Sequence, residues 1–255
     1  MLEGQVAIVT GSGRGIGKEI AMGFAREGAS VVVADVDESG SKETINELKE
    51  EGYTRATFIK TDLSSISDIK NLVKETQDYF GNGIDILINA AGICEQVDLF
   101  DIDEENWNKT LDINLKGAFF TAQKVAEVMA KKGAGRIINI ASTSSYLPST
   151  RCMVPYDVSK AGIKMMTKCL AELLGPYNIN VNAIAPATTK TKMVEQIFGK
   201  EYFEGDWVSQ KYPLGRIAYP SDHLKAALFL CSKDAGYING TVLLVDGGFL
   251  MAYRR

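Results

Sequence analysis

Two residues four positions apart, Tyr156 and Lys160, could carry out acid–base chemistry. A helix places positions i and i+4 on one face, so the phenol and the ammonium would lie side by side. A free tyrosine is too weak an acid to exchange protons readily at neutral pH, and a neighbouring positive charge lowers its pKa. The pair therefore indicates a general acid/base, although the spacing alone is a weak motif.

A glycine-rich segment, Thr10-Gly11-Ser12-Gly13-Arg14-Gly15-Ile16-Gly17, follows the first apolar run and is called the glycine segment below. Glycines let a backbone turn tightly and approach a ligand, and the helix N-terminus that follows favours phosphate. The spacing does not fit GxGxxG, which needs glycine at Ile16, or the P-loop, which needs glycine at Ser12. The segment therefore indicates nucleotide binding or a purely structural turn, and it excludes a Walker-type ATPase.

An acidic residue, Asp35, closes the second predicted strand, 18 residues after Gly17. A carboxylate at this place can accept hydrogen bonds from both hydroxyls of an adenosine ribose and would repel a 2′-phosphate. Arg14 opposes this argument because it lies near the expected position of that phosphate. The balance favours NAD over NADP, and a solvated strand-end residue is the alternative interpretation of Asp35.

These motifs, taken in order, resemble the short-chain dehydrogenase/reductase family over nearly the whole chain. The matching pieces are the glycine segment, Asp35, Asp62-Leu63, Asn89-Ala90-Ala91-Gly92, Asn114, a serine after the fifth strand, Tyr156 with Lys160, Pro186 to Thr191, and Asp246-Gly247-Gly248.

The resemblance implies a role for each piece. Tyr156 would be the general acid/base, and Lys160 would hold the nicotinamide ribose and lower the Tyr156 pKa. A serine, Ser142 in our interpretation, would polarise the substrate carbonyl, and Asn114 would anchor a water linked to Lys160. The residues that would bind the cofactor are Gly11, Ser12, Arg14, Gly15, Ile16, Gly17, Asp35, Val36, Asp62 at the adenine, Leu63, Asn89 at the ribose, Ala90, Gly92, Tyr156, Lys160, Pro186, and Thr189 and Thr191 at the carboxamide.

The chain departs from the family's pattern in three places. Asn89-Ala90-Ala91-Gly92 replaces the usual Asn-Asn-Ala-Gly, and Pro186-Ala187 replaces the usual Pro-Gly. The serine usually lies 13 residues before the tyrosine, and Thr143 occupies that position. We favour Ser142, which suits the strand-end context and needs one extra residue in the following loop. Thr143 and Ser144 are the alternatives.

Hydrophobic periodicity predicts the elements that position these residues. Short β-branched runs at 6–9, 31–34, 56–59, 84–88, 136–140, 179–184 and 241–245 alternate with helical patterns at about 15–27, 38–51, 67–80, 104–131, 156–174 and 223–230. Such alternation is typical of βαβ units. We therefore predict an α/β fold, namely one doubly wound Rossmann domain over residues 1–255 with a seven-stranded parallel sheet and helices on both faces.

One connection, residues 188–213, is too long for an ordinary loop and is rich in aromatic side chains. We expect it to be an insertion that covers the substrate, and a small helical hairpin with its own packing is the alternative. We expect Ser144 and Cys94 to contact the substrate, with Cys152 also bordering the cleft.

Composition excludes several classes of protein. The net charge is −4, which argues against nucleic acid or an anionic membrane as a main partner, and no apolar run is long enough to span a bilayer. Four cysteines without CxxC spacing and a single histidine, His223, argue against a metal site and favour free thiols in the cytoplasm. We interpret His223 as a surface or helix-capping residue.

The sequence thus predicts an NAD(H)-dependent oxidoreductase that interconverts a secondary alcohol and a ketone. A polyol, sugar, hydroxysteroid or small ketone all fit as substrate. The alternatives are a 3-oxoacyl-carrier-protein reductase that uses NADPH and a catalytically silent nucleotide-binding protein. Apolar surface on the helices at 104–131 and 156–174, together with the family resemblance, implies a homotetramer with a dimer as the alternative.

Overall fold

The computed structural model describes residues 1–81, 83–149, 152–205 and 207–252. Its centre is one seven-stranded sheet, in which every neighbouring pair of strands is parallel. The strands are β1 (Val6–Thr10), β2 (Ser30–Asp35), β3 (Ala56–Lys60), β4 (Ile86–Asn89), β5 (Gly135–Ile140), β6 (Ile179–Pro186) and β7 (Val242–Val245). The predicted α/β fold and its seven parallel strands are confirmed.

Helices cover both faces of this sheet, because the central strands are apolar on both sides and must be buried twice. They are α1 (Gly15–Arg26), α2 (Glu38–Glu50), α3 (Ile66–Phe80), α4 (Glu104–Leu111), α5 (Ala118–Lys132), α6 (Val154–Leu174), α7 (Lys192–Phe198), α8 (Trp207–Lys211), α9 (Pro220–Cys231) and α10 (Phe249–Ala252). One large apolar cluster packs α1 and α9 against the sheet, and the other packs α5 and α6 against its opposite face. None of the helices in the described ranges is long and apolar enough to cross a membrane.

The single helix predicted at 104–131 is wrong in one respect. It consists of α4 and α5 joined by a π-helical stretch, Asp112–Gly117. A π turn inserts one residue per turn and changes which side chains face inward, and such turns are frequent at functional sites. Periodicity does not reveal it because the stretch keeps an apolar pattern close to that of an α-helix.

In the strand order β3-β2-β1-β4-β5-β6-β7, successive strands are added toward one edge of the sheet from β1 to β3 and toward the opposite edge from β4 onward. The order therefore reverses between β1 and β4, although all strands remain parallel. Ligands of such sheets bind outside the carboxyl ends of the strands at this reversal, where the connections diverge. The glycine segment leaves β1 here, Asn89 ends β4, and Ser142 follows β5 at the same edge. The sheet therefore brings the predicted nucleotide and acid–base motifs to one side of the molecule.

The 188–213 segment forms α7, a 3-10 turn at Lys200–Phe203, and α8. Buried Val208 and Tyr212 pack with Ala187 and Ile217 in a small apolar cluster of their own, and Tyr202 and Trp207 lie against it. The α8 half of the segment therefore packs in an apolar cluster that also includes residues outside the segment. Its α7 half has no buried residue.

Candidate active site

The side chains of Tyr156 and Ser142 meet at the edge of the sheet. Tyr156 lies in the first turn of α6, and its phenol is hydrogen-bonded to the Ser142 hydroxyl. The Ser144 main-chain N–H donates to Ser142 Oγ at 3.1 Å, so Ser142 can direct its own proton away from its backbone. Thr143 and Ser144 follow in a 3-10 turn and also line the adjacent cleft. Of these three candidate hydroxyls, the one bonded to the phenol is that of Ser142.

The surroundings of the phenol set its acidity. Burial raises the pKa of Tyr156, the nearby Cys94 thiol raises it further, and the Ser142 hydrogen bond lowers it in part. The Lys160 ammonium lies 5.7 Å from the centre of the Tyr156 ring. In this structure the pKa of Tyr156 is therefore raised, in contrast to the lowering by Lys160 that the sequence analysis expected.

The Lys160 side chain is buried and donates from Nζ to the Ile140 carbonyl oxygen at 2.8 Å. Burial lowers its pKa to about 8, because the surrounding protein solvates the ammonium less well than water does. The Lys160 side chain thus lies between α6 and the end of β5, where its ammonium donates a hydrogen bond to the Ile140 carbonyl.

Asn114 lies in the π-helical stretch, and its buried amide is fully engaged with protein groups. Oδ1 accepts from Ile93 N at 2.8 Å, and Nδ2 donates to the Ile93 carbonyl and to Ser159 Oγ. A Cβ built on Gly92 would lie 3.3 Å from Asn114 Oδ1 and 3.5 Å from Lys160 Nζ. The two polar atoms therefore border one small space that glycine keeps open.

The glycine segment forms a groove that a side chain would obstruct. Gly11 and Gly15 have φ of 65° and 61°, and a Cβ on Gly11 would lie 2.5 Å from Ala91 Cα. Asp35 Oδ2 accepts from Gly13 N at 2.9 Å, so the carboxylate borders the loop directly. This arrangement fits the adenosine ribose and pyrophosphate of a dinucleotide, because a carboxylate, a glycine turn and a helix N-terminus meet there.

Two side chains predicted at the cofactor have other partners. Asn89 Nδ2 donates to the Ala118 carbonyl and to Asn139 Oδ1 inside the protein, while Asn89 Oδ1 is buried with no hydrogen-bond partner within the described residues. Asp62 Oδ1 accepts from the Ser64 N–H and hydroxyl, and the carboxylate is half-buried beside β3. Of the other predicted residues, Arg14 and Val36 are exposed and Leu63 is buried.

The end of β6 supplies the opposite wall of the groove. Pro186, Thr189 and Thr191 line the cleft, and a Cβ on Gly15 would lie 3.5 Å from Thr191 Cγ2. Thr191 caps α7 by accepting from Val194 N. The glycine segment and the start of the 188–213 segment therefore face each other across a narrow gap.

His223 is fully buried, and its interpretation as a surface or capping residue is wrong. Asp222 performs the capping by accepting from Tyr219 N at 2.7 Å, and the next side chain turns into the core. His223 Nε2 lies 2.8 Å from Thr189 Oγ1, while Nδ1 is buried with no hydrogen-bond partner within the described residues. Burial lowers the pKa of His223 to about 4.

We expect the stability of the protein to depend on this imidazole between about pH 4 and 6.5. In that range the unfolded chain binds a proton that the buried ring refuses, so the free energy of unfolding rises with pH and is lost on acidification. The shift corresponds to roughly 3 kcal/mol. NMR titration of the single histidine measures the pKa directly, and a midpoint near 6.5 would contradict burial. Urea unfolding of His223→Leu should lack this part of the pH dependence.

The cleft above Tyr156 has a volume of about 240 Å³. The predicted substrate residues Ser144 and Cys94 both line it, and burial raises the pKa of the Cys94 thiol to about 12. Cys152, predicted to border the cleft, instead forms a hydrogen bond with Asp98. All four cysteines are free thiols, and the described residues contain no group of three potential metal ligands.

Sequence reasoning expected the 188–213 segment at the substrate but did not single out the apolar side chains that line the cleft, which include Met153 in the loop before α6 and Met193 and Ile197 on α7. The i, i+4 spacing of the two α7 residues was the available signal, and it identifies an apolar face without showing what that face contacts. It also did not predict that His223 is buried against Thr189, and the sequence offers no signal for this contact.

Comparison with known proteins places the whole chain in one family. The family model described as "Enoyl-(Acyl carrier protein) reductase" matches residues 11–250. The NAD-dependent glycerol dehydrogenase of Listeria innocua is 37% identical over 246 residues, 96% of this chain and 93% of the relative. Subunit BbsD of the (2S)-[(R)-hydroxy(phenyl)methyl]succinyl-CoA dehydrogenase of Thauera aromatica is 36% identical over 247 residues, 97% of both chains.

A solved structure agrees with the sequence relatives. The gluconate 5-dehydrogenase of Burkholderia cenocepacia, crystallised with NADP and tartrate, superposes with a TM-score of 0.90 at 33% identity and covers 98% of this chain and 96% of its own. The motifs, the doubly wound sheet and these matches agree along nearly the full length. The chain therefore belongs to the short-chain dehydrogenase/reductase family of oxidoreductases.

Proposed function

We propose that this enzyme interconverts a secondary alcohol and a ketone by NAD(H)-dependent hydride transfer. The observation that carries the proposal is the hydrogen bond between Tyr156 and Ser142 in a cleft that continues into the glycine groove. A substrate oxygen that replaces this mutual contact would meet two hydroxyl groups at once. Such a pair is useful to a reaction in which an oxygen gains or loses a proton.

In the oxidative direction, the ionised Tyr156 Oη would accept the hydroxyl proton of the alcohol, and the carbinol carbon would give its hydride to a bound nicotinamide cofactor. Ser142 donates a hydrogen bond to the same oxygen, because the Ser144 N–H already occupies an acceptor position on Ser142 Oγ. Lys160 holds positive charge close to the phenol, and the buried Asn114 amide fixes Ile93 beside Gly92. Reduction uses the same groups in reverse, with Tyr156 as the proton donor.

A bound nicotinamide cofactor would supply the hydride acceptor or donor. Asp35 would bind its adenosine ribose, the glycine segment its pyrophosphate, and Thr189 and Thr191 its carboxamide. The Thr189 hydroxyl lies within hydrogen-bond distance of both His223 and the Ala187 carbonyl, so its orientation is restricted before any ligand arrives.

The test is a panel of secondary alcohols assayed for NADH formation at alkaline pH. Turnover of an alcohol by the wild type supports the proposal, whereas tight NADH binding without turnover of any alcohol or ketone favours the silent nucleotide-binding protein. Preference for NADPH and an acyl-carrier-protein thioester would instead indicate a 3-oxoacyl-carrier-protein reductase, an alternative against which Asp35 argues.

We expect NADH to bind roughly tenfold more tightly than NADPH, because a 2′-phosphate would be placed against the Asp35 carboxylate, and this repulsion should outweigh any attraction from the exposed Arg14. Asp35→Ser should narrow this difference mainly by improving NADPH affinity. Fluorescence titration of both cofactors measures the two dissociation constants. Arg14→Ala serves as the control, since a loss of NADPH affinity there would show that Arg14 binds the phosphate. Equal affinities in the wild type would contradict the assignment.

We also propose that the protein is a cytoplasmic homotetramer. Free thiols at all four cysteines are typical of a reducing compartment. On α6 the apolar side chains of Val158, Met165 and Leu173 are exposed, and Trp107 on α4 is more than one-third exposed. Apolar helix faces of this kind suit isologous contacts between copies. Light scattering should give a tetramer mass, and a monomer at micromolar concentration would contradict the proposal.

A further inference from the structure

The half-buried face of α7 that lines the cleft is apolar. Met193 and Ile197 are four residues apart, and Val194 lies beside them. None of the three belongs to the apolar clusters that the described residues form. Leu147 and Met153 line the cleft as well. Burial of apolar surface is favourable, so a ligand that covers this face should itself be apolar.

Charged side chains that could bind further groups of a substrate are few in the cleft. Apart from the acid–base set and the threonines that follow β6, the described lining residues with a polar side-chain atom are Thr143, Ser144, Ser149, Tyr202, Trp207, Lys211 and Tyr212. Ser149 is engaged, because both its N–H and its hydroxyl donate to Asp157 Oδ2. Lys211 is exposed at the rim, with Nζ over the Trp207 ring at 5.6 Å. Among the described lining residues none is an arginine, an aspartate or a glutamate.

Among the described lining residues, a sugar acid would therefore find only Lys211 outside the acid–base set as a cation for its carboxylate, and a polyol would place hydroxyls against the apolar face of α7. Buried polar groups without partners weaken binding, whereas an apolar group suffers no such penalty. Cavity volume narrows the choice further. The cleft of about 240 Å³ is also lined by Thr189 and Thr191, where the cofactor's carboxamide would bind, so only part of this volume is left for the substrate. An apolar cavity of about 150 Å³ binds benzene, and the remaining space therefore suits a single ring better than the four-ring skeleton of a steroid.

We infer that the substrate is a secondary alcohol, or its ketone, whose reacting carbon carries an apolar group about the size of one six-membered ring. This inference rests on the proposed function and narrows it to one substrate class. The reacting oxygen would bind Tyr156 and Ser142, and the ring would lie between α7 and the side chains of Leu147 and Met153. A polar or anionic tail, where present, would extend toward Lys211 at the rim.

The test compares kcat/KM for acetophenone and cyclohexyl methyl ketone with butanone, and for 1-phenylethanol with glycerol and D-gluconate. We expect kcat/KM for 1-phenylethanol to exceed that for glycerol or D-gluconate by roughly 10²-fold. We expect kcat/KM for each ring-bearing ketone to exceed that for butanone by roughly tenfold, the scale of several methylene contacts. Preference for glycerol, gluconate or a hydroxysteroid would overturn the inference and leave the proposed function intact. Failure of every compound, butanone included, would overturn the proposed function itself.

Matched variants on α7 test whether its apolar face causes the preference for ring-bearing substrates. Ile197→Ser removes a side chain that lines the cleft, and Gln196→Ser makes the same change in helix propensity at an exposed neighbour. Ile197→Ser should raise KM for acetophenone roughly tenfold with little change for butanone, and Gln196→Ser should change neither. Equal kinetics of Ile197→Ser and wild type with acetophenone would overturn the inference.

Discussion

Tyr156→Phe should lower kcat roughly 10³-fold while the affinity for NADH stays within a few-fold of wild type. The variant removes only the phenolic oxygen. The substrate oxygen then lacks the group, next to Ser142, that would donate or accept its proton. The ring itself still packs in the first turn of α6. Stopped-flow or steady-state kinetics with a turned-over ketone, together with fluorescence titration of NADH, measure the two quantities separately.

Tyr177→Phe is the matched control, because Tyr177 is 51% exposed and lies after the far end of α6. Its kinetics should equal those of wild type. Alcohol oxidation by the wild type should rise with pH, since burial raises the pKa of Tyr156 and the phenolate forms only in alkaline solution. Any residual oxidation by Tyr156→Phe should lack this rise. Substantial activity with an unchanged pH profile would remove Tyr156 from the mechanism.

Ser142→Ala should be the most damaging of three neighbouring hydroxyl substitutions, with a loss in kcat of roughly 10²-fold. This is the scale of losing one oriented hydrogen-bond donor to a reacting oxygen. The chain leaves β5 at Ile140, and Ser142 turns its hydroxyl to the phenol with extended φ and ψ of −164° and 161°. Kinetics of the three variants at saturating cofactor measure the loss.

Thr143→Val and Ser144→Ala are the controls for this assignment, and each should cost much less than Ser142→Ala. The family's usual spacing points to Thr143, and both control residues also line the cleft. A greater loss for Thr143→Val than for Ser142→Ala would show that the spacing, not the strand-end context, identifies the serine equivalent. Ser142→Thr should retain part of the activity, since it keeps a hydroxyl at the same atom.

The alternation of elements and the place of the motifs could be predicted because they depend on local patterns. Val31-Val32-Val33 is buried on both faces, as a central parallel strand requires, and the glycine segment follows β1 as its spacing indicated. The carboxyl ends of parallel strands meet at one edge, so the motifs had to come together once the topology was known. The cleft's position followed from the same argument.

Side-chain partners could not be predicted, because they depend on contacts between distant segments. The Asn89 amide faces Asn139 and Ala118 across the sheet, and periodicity carries no information about that pairing. His223 is buried because Asp222 takes the capping role beside it. The π turn that holds Asn114 and the direction of the Tyr156 pKa shift likewise follow from packing.

The most direct test of hydride transfer between a secondary alcohol and the cofactor follows an isotope. The wild type is incubated with NAD and 1-phenylethanol that carries deuterium on its carbinol carbon, and the reduced cofactor is examined by mass spectrometry. We expect NADH that contains the deuterium, formed at a rate that Tyr156→Phe lowers by orders of magnitude. Acetophenone formed without deuterium in the cofactor, or no reduced cofactor from this or any other secondary alcohol, would contradict the proposed function.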